Sequence, residues 1–387
     1  MGEGLLIMGD IGEMNQQAMN THGTMNTERR PDNRENNFAI LRLVAALMVI
    51  AGHMSHLLAT SVPTLFDRPI HSLGVYIFFL IGGYLISRSW LSDPHPLRYG
   101  VKRFMRIWPP LATFVLCAAF LVGPHLSWLP AGEYYAHPRT WEYLANLRLD
   151  IRYVLPGVFE QNPYPHAVNG SLWTLPVEAM MYVWVPVLLT ICRAKTHTKK
   201  SRWLLLGICT AVCALVCWQN TYYPQARIVI YGTDWVSALQ IIPFYLIGMV
   251  CSLFDIRRYL SVQVSLVLIL VLSCIKLSYV KMQIVLFLAL PYIVFSIALA
   301  PNPFFFKMGK KAEISYGLYL WGFFIQQIVV KVAQQKGISL SYMQAFVISC
   351  ALTTLVAYLS CYFVEKPVQR LTKRIISSIS SSKKNGL

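Results

Sequence analysis

Ala39-Ile-Leu-Arg-Leu-Val-Ala-Ala-Leu-Met-Val-Ile-Ala-Gly-His-Met-Ser-His-Leu-Leu-Ala59 is a run of 21 residues broken only by Arg42, His53, Ser55 and His56. About 20 predominantly apolar residues in a helix match the hydrocarbon thickness of a bilayer. Nine more apolar windows follow it, at 73–87, 108–126, 171–192, 203–218, 236–254, 261–275, 282–300, 315–334 and 343–364. Of the 387 residues, 56% are hydrophobic and only 13% charged, and the mean hydropathy is +0.49. A water-soluble fold has nowhere to bury that much apolar surface. The fold class is therefore all-α: a polytopic membrane helix bundle of about ten transmembrane helices.

Charge sets the expected orientation. The chain carries 34 basic and 17 acidic residues, a net charge of +17. With the N-terminus inside, 24 of the basic residues fall in cytoplasmic stretches and 8 in outer loops. This positive-inside bias predicts two cytoplasmic termini. Residues 1–38 lack the apolar core of a signal peptide and read as a disordered cytoplasmic tail. Residues 39–365 form the transmembrane domain, and 366–387 a basic cytoplasmic tail. Residues 127–170 are the one long outer loop, with seven Tyr and Trp residues that suit either an ordered interfacial cap or a lid over a ligand. No nucleic-acid-binding signature is present, so the positive charge is not read as a footprint for nucleic acid. The nine cysteines lie in or beside apolar segments and read as packing residues, not as a disulfide framework. No metal site is expected.

Ionisable groups in a bilayer core are costly, and they mark function. Of the seventeen acidic residues only Glu178 falls well inside a window, and of nine histidines only His53 and His56 do. Arg42 and His53 are eleven residues apart, about 20° past three full turns, so they share a helix face about 16 Å apart along the axis. Counting rises from the window ends puts His53 and Glu178 at a similar depth, about 20 Å from the inner boundary. A His53–Glu178 pair is expected from that level. Before the third window, Arg98, Lys102, Arg103 and Arg106 make a basic cluster. Arg103 and Arg106 share a helical face suited to phosphate oxygens. In the ninth window Tyr316, Tyr319, Phe323 and Gln326 line one face.

Several motifs, in order, resemble the membrane acyltransferase-3 family, whose members include O-antigen and other polysaccharide O-acetylases. They are Arg42-(ten residues)-His53, Gly74-Val-Tyr-Ile-Phe-Phe-Leu-Ile-Gly-Gly-Tyr-Leu-Ile86, Arg103-Phe-Met-Arg106-Ile-Trp-Pro109, Asn169-Gly-Ser-Leu-Trp-Thr-Leu-Pro-Val-Glu178, Ser315-Tyr-Gly-Leu-Tyr-Leu-Trp321 and Val364-Glu-Lys-Pro367. The resemblance covers roughly residues 36–370. Two positions depart from it: Tyr76 stands where many members have aspartate, and Gly322 where many have histidine.

The resemblance implies transfer of an acyl group, usually acetyl, from cytoplasmic acetyl-CoA or another acyl-CoA to a hydroxyl of an extracytoplasmic carbohydrate, lipid-linked or free, at a bacterial inner membrane. Arg42, Lys102, Arg103 and Arg106 are the candidate contacts for the CoA phosphates. His53 is the candidate general base, and Glu178 the carboxylate that orients it. Asn169, Ser171, Trp173, Tyr319 and Gln326 are candidate acceptor contacts. The competing class is a transporter or flippase with a buried His–Glu proton relay. The missing internal repeat speaks against it.

Overall fold

The computed structural model describes residues 36–192, 199–300 and 314–382. Each of the ten apolar windows holds a helix: α1 (Phe38–Leu57), α2 (Ile70–Ser92), α3 (Pro96–Leu116), α4 (Thr174–Ile191), α5 (Lys199–Tyr222), α6 (Trp235–Cys251), α7 (Val262–Cys274), α8 (Tyr279–Ala298), α9 (Ser315–Gln335) and α10 (Tyr342–Ser360). Among the described residues, seven helical stretches are long and apolar enough to cross a bilayer. At 17 and 13 residues, α6 and α7 are shorter than a straight crossing requires. Four glutamines and Lys331 lower the hydropathy of α9. The multi-pass helical class is as expected.

Several boundaries differ from the sequence reading. α2 begins at Ile70, so His71 lies in its first turn. α3 begins at Pro96, twelve residues before the apolar window, because Pro96 is preset for a first helical turn and the His95 side chain accepts from the Arg98 amide. Arg98 to Arg106 thus sit on a helix rather than in a loop. The C-terminal stretch expected as a tail is helix α11 (Lys366–Ser382), joined to α10 through a π-helical turn at Cys361–Glu365 and packed against α3. At the N-terminus, α1 takes Phe38, and the rest of the expected tail, up to residue 35, lies outside the described residues.

α2 is the hub of the packing, with α1 on one side and α6 on the other. The α2–α6 crossing is made by glycines. A Cβ on Gly83 would stand 1.9 Å from the Tyr245 carbonyl oxygen, and one on Gly248 would stand 2.2 Å from that of Leu80. With hydrocarbon outside, helix association depends on such close backbone approach more than on apolar burial. α4 is held to α3 differently. Pro186 has no N–H to offer the Tyr182 carbonyl one turn back, and the Tyr99 hydroxyl donates to that oxygen at 2.9 Å.

The stretch 127–170 is an ordered cap of short helical turns. Tyr134 donates to the Ala119 carbonyl at 2.7 Å, and the Trp108 indole to that of Leu147 at 3.0 Å. The Asn162 amide reaches Gln327 of α9, whose own amide donates to the carbonyls of Tyr164 and Ala167. Two short hairpins complete this end: Thr64–Leu65 with Arg68–Pro69, and Val229–Ile230 with Thr233–Asp234. The Ile151 amide and the Tyr153 hydroxyl bond the second hairpin at Tyr231 and Gly232.

Candidate active site

Two cavities enter the bundle and meet at a common wall. The first, of about 840 Å³, is lined by His53 and His56 of α1, His71 of α2, Trp173, Tyr319 and the cap residues Tyr153 and Tyr164. The second, of about 290 Å³, is lined by Arg42, Lys102, Arg103, Arg106, Glu178 and Tyr182. Val75 of α2 and Tyr319 of α9 belong to both linings.

The histidine-lined cavity follows from helix geometry. His53 and His56 are one turn apart on α1, and His71 faces them from α2. The rings of His53 and His71 are 5.6 Å apart between centroids, and those of His56 and His71 5.2 Å. Phe323 meets His53 edge to face at 5.2 Å, and Gly170 leaves room for that phenyl ring. Arg227, Asp234 and Gln240 place polar groups at the far rim, beside the second hairpin.

In the arginine-lined cavity the cations differ in their partners. Lys102 reaches Asp93 at 3.1 Å, and Arg98 also binds that carboxylate. Arg98 above all, with Lys102, holds the Asp93 carboxyl down to about 2. Arg106 lies 3.6 Å from the buried Glu365 carboxylate and 4.7 Å over the Tyr316 ring. Arg103 rests against the rings of Tyr99 and Tyr182, at 5.5 Å from each, with no carboxylate partner among the described residues. Glu178 accepts a hydrogen bond from the Tyr182 hydroxyl one turn along α4.

The candidates from sequence therefore divide. Arg42, Lys102, Arg103 and Arg106 do share one cavity, and Glu178 joins them there. The expected pairing of His53 with Glu178 is not formed: the two line different cavities, and the carboxylate's bond is to Tyr182. Level depth does not ensure contact, because the rotation of each helix about its axis also decides which groups face each other. Of the acceptor candidates, Trp173 and Tyr319 line the histidine cavity, and the Tyr319 hydroxyl lies 2.6 Å from that of Thr174. Asn169, Ser171 and Gln326 are buried in the scaffold instead. Asn169 caps the turn Gly170–Trp173 and donates to the Leu320 carbonyl at 2.7 Å. The Ser171 carbonyl accepts from Tyr319 at 3.2 Å, and Gln326 donates to the Ile50 carbonyl at 2.8 Å.

Sequence reasoning passed over His71 and Tyr182. His71 lay two residues before the apolar window. Tyr182 was legible as the i+4 neighbour of the lone buried acid. Tyr76 also lines the histidine cavity, stacked on Phe244 at 4.2 Å. Among the described residues no cluster of His, Cys, Asp or Glu is arranged to hold a metal ion.

The family model described as an acyltransferase domain matches residues 35–362. An "O-acetyl transferase" of Shigella phage Sf6 is 26% identical over 340 residues, covering 86% of this chain and 96% of the relative. "Nodulation protein 10" of Rhizobium leguminosarum bv. viciae is 24% identical over 375 residues, covering 88% and 95%. No solved structure matches. A bundle of apolar helices, a basic cavity and a histidine-lined cavity with one wall in common, and a family match along most of the chain agree: this chain belongs to the membrane acyltransferase-3 family.

Proposed function

We propose that this acyltransferase moves an acyl group, most simply acetyl, from acyl-CoA on the cytoplasmic side to a hydroxyl of a carbohydrate on the extracytoplasmic side of a bacterial inner membrane. In this reading all ten apolar helices are embedded and both termini are cytoplasmic. The acceptor is a surface glycan such as O-antigen, in its lipid-linked or its finished form. One observation carries the proposal: two cavities of different chemistry, one basic and one rich in imidazole and aromatic rings, meet at Val75 and Tyr319.

The basic cavity suits the CoA phosphates. Arg103 is the cation best placed to bind them, since among the described residues no carboxylate forms an ion pair with it. Arg42, Lys102 and Arg106 add to the field. The pantetheine arm is long and thin and enters between α2, α4 and α9, bringing the thioester to the wall at Tyr319. On the other side, Trp173, Tyr153 and Tyr164 offer ring faces to a sugar. Its hydroxyl oxygen attacks the thioester carbon as His53 accepts the hydroxyl proton. The C–S bond breaks, and the departing sulfur takes a proton from the Tyr182 hydroxyl to leave as free thiol. Solvent resets both groups, taking the proton from His53 and returning one to Tyr182. Glu178 and Tyr182 lie on the sulfur's side of the wall. Their hydrogen bond supplies a proton-bearing pair there, a role distinct from the orienting one expected of Glu178.

His53→Ala tests this. It should lower transfer by about 10²–10⁴-fold, the usual contribution of a general base, while acyl-CoA binding and membrane insertion persist. Thiol release from acetyl-CoA and donor binding are measured side by side, in membranes carrying the endogenous glycan. Near-normal turnover in His53→Ala would refute the assignment.

A further inference from the structure

Because Glu178 lies across the wall, the orientation of His53 needs another source. No carboxylate reaches it among the described residues. What stands beside it is a second imidazole, in a place built to receive one. On α1, Gly52 immediately precedes His53, and a Cβ there would stand 2.5 Å from the His71 Nδ1. Only the absence of that side chain admits the ring. His71 is half-buried, its Nδ1 is shielded, and no group among the described residues hydrogen-bonds that nitrogen. Its ring lies between those of His53 and His56, at 5.6 and 5.2 Å.

We infer that His71 is the positioning residue for His53. No direct hydrogen bond joins the rings, and both face the same polar cavity. A single water bridging two such groups is nearly as favourable as a direct bond. A bond held at one His53 nitrogen sets which tautomer is present, and so leaves the other nitrogen free to accept the acceptor's hydroxyl proton. A neutral imidazole orients the ring as a carboxylate would. It adds no negative charge to a cavity whose histidines must stay uncharged to accept protons. Mere packing would also place a ring over Gly52, but it would not depend on the nitrogens.

The inference rests on His53 being the base, and the experiment separates the two. Thiol release from acetyl-CoA is followed in membranes carrying the endogenous acceptor for wild type, His53→Ala, His71→Ala, His71→Asn and Gly52→Ala. His71→Ala should lower turnover by about 10- to 100-fold, part of what a general base contributes, with the KM for acetyl-CoA unchanged. Added imidazole should restore a measurable share of it. His71→Asn keeps a hydrogen-bonding group and should lose less. Gly52→Ala pushes the ring aside and should reproduce the His71→Ala defect. Normal turnover in His71→Ala, or a loss that imidazole and asparagine both fail to relieve, overturns the inference while His53→Ala remains inactive. An active His53→Ala overturns both readings together.

Discussion

Arg103 and Arg106 sit three residues apart on one helix, yet the structure gives them different work. Arg106 faces Glu365, a carboxylate only 4% exposed, whereas Arg103 has aromatic faces and no acid partner among the described residues. Arg103→Ala should therefore raise the Kd for acyl-CoA with modest effect on folding. Phosphate contacts made alike in ground and transition states appear in binding. The effect should shrink for a donor truncated to acyl-pantetheine, which lacks the nucleotide phosphates. Arg106→Ala takes one cation away from the buried Glu365 carboxylate, and breaking a buried pair costs up to about 3–5 kcal/mol. Its main result should be loss of folded protein, and Glu365→Gln in the same chain should recover part of it. Thermal unfolding in detergent and donor titration distinguish the two variants. Equal loss of stability in both would show that Arg103 is as structural as Arg106.

The helical elements were legible in the sequence because apolar runs of membrane length have few alternatives: every window holds a helix. What failed was the polar part of each element. Hydropathy set the start of α3 at residue 108 because Arg98, Lys102, Arg103 and Arg106 dilute the run, although Pro96 begins the helix regardless. The same dilution hid α11, whose basic face reads as a tail until its packing against α3 is seen. Of the site, the shared arginine cavity was legible through spacing along α3. The His53–Glu178 pairing was not, because depth was counted along single helices without their rotations. Nor could the sequence reveal the α2–α6 crossing, since Gly83 and Gly248 are far apart in the chain and only the fold brings them together. That crossing holds Tyr84 and Tyr245 in the core. Gly83→Ala forces a methyl group within 1.9 Å of a carbonyl oxygen, so backbone must shift. Overpacking of this kind costs about 1–3 kcal/mol. Gly100→Ala, where a Cβ meets nothing within 4 Å, should leave stability unchanged or slightly raised. Midpoints of thermal unfolding in detergent for the two variants should differ accordingly; equal midpoints would mean that the crossing tolerates separation.

At the scale of the whole molecule, function depends on which cavity faces which compartment, and geometry alone carries no such sign. The sign comes from charge: 24 of 34 basic residues lie in the stretches assigned to the cytoplasm. That assignment puts α11 on the cytoplasmic side, with Arg370, Lys373 and Arg374 exposed and its first turns beside the Arg106–Glu365 pair. On the same assignment the cap 127–170 falls on the other side, joined to α9 and to the second hairpin. If acyl-CoA enters from the cytoplasm, the arginine cavity must open on the side of α11 and the histidine cavity on the side of the cap. Two exposed positions test this in a chain whose nine cysteines are replaced. Glu142→Cys in the cap should react with a membrane-impermeant maleimide on intact cells. Arg370→Cys should react only after the membrane is permeabilised. Saturating labelling of Arg370→Cys on intact cells would invert the bundle. The basic cavity would then face away from the cytoplasmic pool of acyl-CoA, and the proposed direction of transfer would fall with it.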